Sequence, residues 1–161
     1  MSRKVSLDLE RSPVGVGIRK IGQWVTYDQF VDGEAADGTL NLSKQIPAGS
    51  VVLFSKVTVK AGFTGDGSCV LDIGTADDAD AFSYTTHNIY TAASNLLEHA
   101  DVSGAGTSPG PVLVTSDTTV KLTASSGSDW TSVSAGKIYV EVVYLSTNPE
   151  VIDQVATRYD G

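Results

Sequence analysis

The sequence predicts an all-β protein: an antiparallel β-sandwich or jelly-roll of about eight strands, with extended N- and C-terminal arms. Three observations support this prediction. Short segments rich in β-branched and aromatic residues alternate between apolar and polar side chains, as strands with one buried face do. Glycine-rich stretches such as "DGEAADG" and "SGAGTSPGP" separate these segments. Strand-like and helix-like segments do not alternate along the chain, which argues against a doubly wound α/β fold.

The longest predicted strand, residues 50–63, shows the alternation clearly in its second half. Val57 and Val59 fall on one face, while Thr58 and Lys60 fall on the other. The "TGDG" stretch that follows predicts a hairpin to the next strand. The strands predicted in chain order are 24–31, 38–43, 50–63, 68–74, 81–90, 111–116, 118–125 and 136–146.

The sequence predicts little helix. Residues 91–100, "TAASNLLEHA", are the exception, and we expect them to form about two helical turns. Thr91 or Ser94 is a suitable N-cap, because its hydroxyl oxygen accepts a hydrogen bond from a free backbone N–H group of the first turn.

The chain is expected to fold as one body with two arms. The body, residues 23–146, is long enough to bury a single core. A basic N-terminal arm, residues 1–22, precedes it, and a C-terminal arm, residues 147–161, opens with a strand-stopping Asn-Pro pair. Both arms contain apolar residues, which a purely solubilising tail does not need. We therefore expect the arms to pack on the body or on another subunit.

Charge is distributed unevenly along the chain. The net charge is −8, yet residues 1–20 hold five basic and two acidic side chains. An acidic body argues against nucleic-acid binding, because contacts to phosphate dominate such affinity. A basic arm on an acidic body suits docking on an acidic partner surface, and it equally suits a solvated, partly disordered terminus.

The sequence contains no targeting or membrane segment that we recognise. No apolar run approaches the roughly 18 residues of a membrane-spanning helix. The N-terminus lacks the continuous apolar stretch of a signal peptide. We therefore expect a soluble protein, made in the cytoplasm, with no membrane partner.

Four aspartates crowd the stretch "DIGTADDADAF", residues 72–82. Asp77, Asp78 and Asp80 are weak candidates for calcium ligands, because calcium takes six to eight oxygen ligands and loops supply several at close spacing. The stretch lacks the turn glycine and the closing glutamate of an EF-hand loop. A solvated turn between two strands is the preferred interpretation, and no metal or cofactor is expected.

Motifs for catalysis are missing from the sequence, so an enzyme is not expected. His87, His99 and Cys69 are widely separated and match no zinc or cysteine-hydrolase pattern. The glycines of "GVGIRKIG" do not have the spacing of a dinucleotide-binding loop, and no G-x-S-x-G occurs. Cys69 lies in an apolar alternating run and is expected to be a small core residue.

Trp130, in the turn "SGSDWTS", has two interpretations at this point. An exposed tryptophan in a turn suits an anchoring contact with a partner or a sugar. The same residue suits a hydrophobic cap over one end of the sandwich.

Five short motifs occur in order along the body: an "IPAG" turn, an "F-x-G" turn, a strand ending in "IGT", an aspartate-rich loop and a final strand that begins "GK". They are found at Ile46–Gly49, Phe63–Gly65, Ile73–Thr75, Asp77–Asp80 and Gly136–Tyr144. With these motifs, over about residues 40–146, the chain resembles small structural proteins of tailed bacteriophages. Within that group it is most similar to capsid decoration (cement) proteins.

The resemblance implies a virion protein, made in the host cytoplasm, whose β-sandwich body binds the exterior of the capsid and stabilises contacts between major capsid protein subunits. It also implies a homo-oligomer, a dimer or a trimer. The arms lie outside the matched region, so their role is inferred from their residues. The residues expected to contact the partner are Arg3, Lys4, Arg11, Arg19, Lys20, Trp24, Val151, Ile152 and Tyr159.

A receptor- or glycan-binding module of a phage tail or surface fibre is the alternative function, because such modules are also built on β-sandwiches. That function predicts a site made of exposed aromatic side chains in the end loops. Trp130 and the aspartate-rich loop are the residues expected to form it.

Overall fold

The structure is a computed structural model that describes residues 16–101 and 109–147 of the chain. Within these residues ten strands and two single 3-10 turns form, and no α-helix is present. The strands are β1 Val16–Thr26, β2 Val31–Glu34, β3 Asp37–Ile46, β4 Val51–Thr64, β5 Cys69–Gly74, β6 His87–Asn88, β7 Ala93–His99, β8 Val112–Leu113, β9 Thr118–Ser126 and β10 Ala135–Thr147.

The strands form two antiparallel sheets that pack face to face. Sheet I has the order β1-β10-β4-β7, with β8 also paired to β4. Sheet II has the order β2-β3-β9-β5-β6. The predicted all-β antiparallel sandwich is therefore confirmed, while the jelly-roll assignment stays a prediction.

The core lies between the two sheets, where alternate residues of each long strand meet. In β9 every second residue from Val120 to Ser126 is buried, and in β10 the buried residues are Ile138, Val140, Val142 and Tyr144. This pattern is the period of two that a strand with one covered face requires.

Three predicted elements differ from the structure. Residues 91–100 form strand β7 and not a helix, because Leu96 pairs with Val57 of β4 and packs against the core. Long-range pairing thus overrides a weak local preference for helix. Residues 81–90 and 111–116 contain only the two-residue strands β6 and β8. In 81–90, the buried Phe82 lies in a turn, and its N–H donates to Ile73.

The first strand begins earlier than predicted. β1 starts at Val16, so residues 16–22, assigned from sequence to the N-terminal arm, belong to sheet I. Pairing with β10, which begins at Val16 opposite Thr147, and burial of Ile21 account for this start. The predicted strand 24–31 is interrupted at Tyr27–Gln29, where the side chain of Gln29 accepts from the N–H of Thr26. The remaining parts of both predicted arms lie outside the described residues.

The "TGDG" turn links the two sheets and does not close a hairpin, since β4 belongs to sheet I and β5 to sheet II. The Asp66 carboxylate accepts hydrogen bonds from the backbone N–H groups of Gly67, Ser128 and Asp129. These bonds lower its pKa. They hold this turn against the neighbouring 127–129 turn.

Trp130 closes one end of the sandwich. It is 5% exposed, and its ring centroid lies 5.1 Å from that of Phe30 and 6.4 Å from that of Phe63. A Cβ atom at Gly38 would collide with the indole, so glycine is needed there for the ring to cover β3. Of the two interpretations given from sequence, the hydrophobic cap is therefore the correct one.

Candidate partner-binding surface

The outer face of sheet I is the surface that concentrates exposed apolar and aromatic side chains. Ile18 of β1 pairs with Leu145 of β10, which pairs with Val51 of β4, which pairs with Leu113 of β8. These four residues form a row across the sheet at one end. Val143 and Phe54, which also pair with each other, lie beside this row.

The two ends of the row, Ile18 and Leu113, are exposed, while Val51 and Leu145 between them are half-buried. Among the described residues, the large hydrophobic side chains that are exposed are Ile18 (69%), Trp24 (50%), Val31 (69%), Leu97 (52%) and Leu113 (62%). All but Val31 lie on the outer face of sheet I, as their register with outward residues of β4 and β10 shows. Scattered exposed hydrophobic residues need no explanation, but a cluster on one face marks an interaction surface.

An aromatic pair lies at the other end of the same face. The rings of Trp24 and Tyr139 have centroids 5.0 Å apart at an interplanar angle of 47°. The Lys137 ammonium lies 5.1 Å from the centre of the Trp24 ring, within cation–π range. A Cβ atom at Gly22 would meet the Tyr139 hydroxyl, so this glycine lets the tyrosine ring lie flat across β1. The exposed Trp24 is thus held by its neighbours.

Between the apolar row and the aromatic pair lies a charged band. The Lys20 ammonium is 2.7 Å from Oε1 of Glu141, and that of Lys56 is 3.6 Å from Oε2. The hydrogen bond from Lys20 is the main cause that lowers the pKa of Glu141, and the same bond raises the pKa of Lys20. Exposed pairs of this kind contribute little stability, so their position on the face matters more than their energy.

The structure brings together only some of the predicted partner-binding residues. Lys20 and Trp24 lie on the outer face of sheet I. Arg19 alternates with them and pairs with the core residue Tyr144, so it does not share their face. The other predicted contact residues lie outside the described residues: Arg3, Lys4, Arg11, Val151, Ile152 and Tyr159.

Sequence reasoning missed the rest of the face. Leu113 is in a short strand whose alternation does not reveal which side faces solvent. Tyr139 and Leu145 share alternate positions with Lys137 and Glu141, and this charged face of β10 is the signal that could have identified them as outward. Ile18 falls within residues 1–22, which the sequence assigns to the N-terminal arm and not to a strand.

The aspartate-rich loop is organised by backbone hydrogen bonds. The N–H of Thr75 donates to the carbonyl of Asp78, and the N–H of Asp78 donates to the Thr75 hydroxyl. Among the described residues, no group of three or more His, Cys, Asp or Glu side chains is arranged to hold a metal ion. The calcium hypothesis for Asp77, Asp78 and Asp80 therefore gains no support from the geometry.

Two carboxyl groups near this loop have raised pKa values. Burial raises the pKa of Asp72 to about 6, and the negative charges of Asp80 and Asp37 add to the shift. The pKa of Asp78 is also raised, first by burial and then by its hydrogen bond with Asp80. Crowded, partly buried carboxylates behave in this way because the charged form loses solvation and gains repulsion.

Groups with the chemistry of a nucleophile are sealed in the core. Cys69 is buried, and burial raises the pKa of its thiol to about 12, so it stays protonated. Nε2 of His87 lies 3.1 Å from the Ser55 hydroxyl, but both residues are buried between the sheets. A substrate has no access to this serine–histidine pair.

Comparisons with known proteins give few matches. No protein-family model and no curated protein matches the chain. A chain from the acid-stable capsid structure of Helicobacter pylori bacteriophage KHP30 aligns with a TM-score of 0.37 at 17% identity, over 80% of this chain and 95% of that one. The Drosophila NLP core, whose structure concerns pentamer formation and histone binding, aligns with a TM-score of 0.30 at 11% identity, over 81% of this chain and all of that one. At these TM-scores neither similarity carries an argument about function.

The described residues form no helix that is long and apolar enough to span a membrane.

Proposed function

We propose that this chain is a structural protein of a tailed-phage virion that decorates the capsid exterior and stabilises contacts between major capsid protein subunits. The observation that carries the proposal is the concentration of exposed apolar and aromatic side chains on the outer face of sheet I. The resemblance of the body to phage decoration proteins supplies the identity of the partner. The chain would act as a homo-oligomer, without cofactor.

Two of the motifs behind the resemblance lie at turns that connect the two sheets. The "IPAG" turn, Ile46–Gly49, takes the chain from β3 in sheet II to β4 in sheet I. Gly49 has φ of 80°, where glycine is favoured, and its N–H donates to Val114. The "F-x-G" turn at Phe63–Gly65 returns the chain to sheet II. Motifs at turns that connect the two sheets support a shared fold more strongly than the same residues in another surface loop would.

A binding role without catalysis fits the side chains of the body. The candidate nucleophiles Cys69 and Ser55 are buried, and neither opens to solvent. A decoration protein needs only a rigid surface, because a ligand that binds the assembled shell and not its parts stabilises the shell by mass action. Repetition of modest contacts over the shell adds avidity.

The glycan-binding alternative loses its central residue. It required an exposed Trp130, which instead packs against Phe30 and Phe63. A cleft of about 340 Å³ beside the aspartate-rich loop is lined by Val31, Thr39, Leu40, Asn41, Ala76 and Lys121. None of these is an aromatic residue on which a sugar ring could stack.

Immunogold labelling of intact virions tests the proposal directly. Antibodies against the folded chain are expected to label heads and not tails, and to label heads before disruption of the particle. Label restricted to tails or fibres would contradict the decoration role. Heads from a phage mutant that lacks this protein are the control, and they should also lose DNA at a lower temperature than wild-type heads.

A further inference from the structure

We infer that the outer face of sheet I is the docking surface, and that its partner is a protein surface with carboxylates beside an apolar patch. This inference rests on the proposed function and names the chemistry of the partner's side. It is drawn entirely from residues of β1, β4, β8 and β10, which lie within the described part of the chain.

The apolar centre is the row Ile18, Leu145, Val51 and Leu113, with Val143 and Phe54 beside it. The row crosses four strands, so it presents a contiguous patch and not a single protruding side chain. Burial of such a patch against another protein supplies the main favourable free energy of association. The inner faces of the same strands are already packed in the core, which keeps the patch rigid.

The charge on one side of this patch, toward the aromatic pair, is opposite to that of the protein as a whole. The residues of β1, β4 and β10 that face outward include Lys20, Lys56, Lys60 and Lys137, but Glu141 as the single carboxylate. The chain as a whole has a net charge of −8. A locally positive face on an acidic protein is complementary to an acidic partner and orients the approach.

The same charges argue against two other occupants. Two copies that met face to face through sheet I with their strands aligned would place lysines against lysines, which disfavours that isologous dimer. Nucleic acid would leave the apolar row without a contact, since phosphate binding depends on cations. An acidic protein surface uses both the lysines and the apolar row.

The aromatic pair adds a second contact at the far end of the face. Trp24 is half exposed, yet Tyr139 and Lys137 hold its ring. A large side chain that is already ordered loses little conformational entropy on binding, which is typical of residues that dominate interface energetics.

The test compares variants on the two sheets in binding to purified capsid shells of the encoding phage that lack this protein. Ile18→Ser combined with Leu113→Ser removes the apolar row, and Lys60→Glu reverses one charge. Each has a matched control on sheet II. Val31→Ser changes a side chain as exposed as Ile18, at 69% for both, and Lys44→Glu reverses an exposed lysine of β3. Thermal melts establish that every variant is folded.

We expect Ile18→Ser/Leu113→Ser to weaken co-sedimentation with shells about tenfold or more. Lys60→Glu should weaken binding to shells about threefold to tenfold and make that binding less sensitive to salt. Val31→Ser and Lys44→Glu should bind as the unchanged protein does.

Other outcomes overturn the inference in distinguishable ways. If the unchanged protein binds shells and the sheet I variants bind equally well, the inference is wrong and the proposed function stands. If the unchanged protein fails to bind shells, both are wrong. Binding of a DNA duplex of about 30 base pairs that Lys60→Glu abolishes would show that nucleic acid, and not an acidic protein, is the partner of this face.

Discussion

Nε2 of His87 lies 3.1 Å from the hydroxyl oxygen of Ser55, and this contact joins the two sheets through the core. Both side chains are buried, and burial lowers the pKa of His87 to about 4. The ring is therefore neutral at pH 7. Nδ1 of His87 has no hydrogen-bond partner within the described part of the chain. A proton on the ring would thus place an uncompensated charge in the core.

We expect His87 to make the protein less stable in mild acid. Its pKa in the unfolded chain is 6.5, well above the folded value of about 4, so protons bind the unfolded state preferentially. The stability that the neutral His87 ring allows is fully present above pH 6.5, and it is lost progressively as the pH falls to 4. A pKa difference of this size between the folded and unfolded states corresponds to about 3 kcal/mol of unfolding free energy.

Urea denaturation at pH 7 and at pH 4 measures this effect. His87→Gln keeps a polar group beside Ser55 but does not titrate, so it should cost stability at pH 7 and flatten the pH profile. Ser55→Ala is the control that breaks the contact while leaving the titration in place. A His87→Gln profile as steep as that of the unchanged protein would contradict the assignment.

Asp72 is expected to act in the opposite direction. Its folded pKa of about 6 lies above its ordinary value of 3.8, so protonation favours the folded state. The charged carboxylate destabilises the protein above pH 6, and this cost disappears as the pH falls toward 3.8. Asp72→Asn should therefore stabilise the protein at pH 7 by about 1 kcal/mol, because solvent partly screens the charge of this half-buried carboxylate.

The gain from Asp72→Asn should vanish at pH 4, where the native carboxyl group is protonated. Asp77→Asn, in the exposed part of the same loop, is the control and should change stability little. If Asp72→Asn lowered the unfolding free energy at pH 7, the carboxylate would have to be making a favourable contact that the structure does not contain.

The sequence predicted the body of the fold where alternation is regular. In 120–124 and 138–144, within two of the predicted strands, every second residue is buried, so a local pattern is enough to locate the strand. It failed at "TGDG", because whether a turn closes a hairpin or crosses between sheets depends on pairing partners far away in the chain. It failed at β7 for the same reason, since pairing of Leu96 with Val57 determines that structure.

The candidate site was predictable only in part. Lys20 and Trp24 were identified because a basic residue and a tryptophan stand out in any sequence. The row from Ile18 to Leu113 joins four strands that are far apart in the chain, and only their register makes it one surface. Alternation indicates which side chains of each strand face outward, but it is unchanged by a shift of two residues, so it does not determine which residues of distant strands lie opposite each other.

Gly22→Ala tests whether the aromatic pair depends on a close approach to β1. The new methyl group would meet the Tyr139 hydroxyl, so the ring must move and its contact with Trp24 must change. We expect a loss of about 0.5–1.5 kcal/mol of stability and a shift in tryptophan fluorescence, because an aromatic pair contributes in this range. Gly17→Ala, in the same strand, has nothing within 4 Å of the added carbon and should be neutral or slightly stabilising. Equal effects of the two substitutions would show that strand propensity, and not the tyrosine contact, is being measured.

The start of β1 at Val16 determines how the basic arm must be tested. A deletion of residues 1–15 leaves β1 whole, whereas a deletion of residues 1–20 also removes five residues of its ladder with β10. The longer deletion eliminates the Ile18–Leu145 pairing and the Lys20–Glu141 salt bridge. We expect its melting temperature to be at least about 4 °C below that of the shorter deletion, which corresponds to one or two kcal/mol in a domain of this size.

Capsid binding then separates the arm from the sheet. If Arg3, Lys4 and Arg11 contact the partner, the deletion of residues 1–15 weakens shell binding although the fold is intact. Raised salt should then reduce the difference in shell binding between the full chain and the deletion. Replacing the three basic residues by serine in the full chain is the matched variant, and it should lose as much affinity as the deletion. Full shell binding by both variants would exclude the arm, and the contact would then lie on the body, where Lys20 and Trp24 are the predicted residues that the structure places on one face.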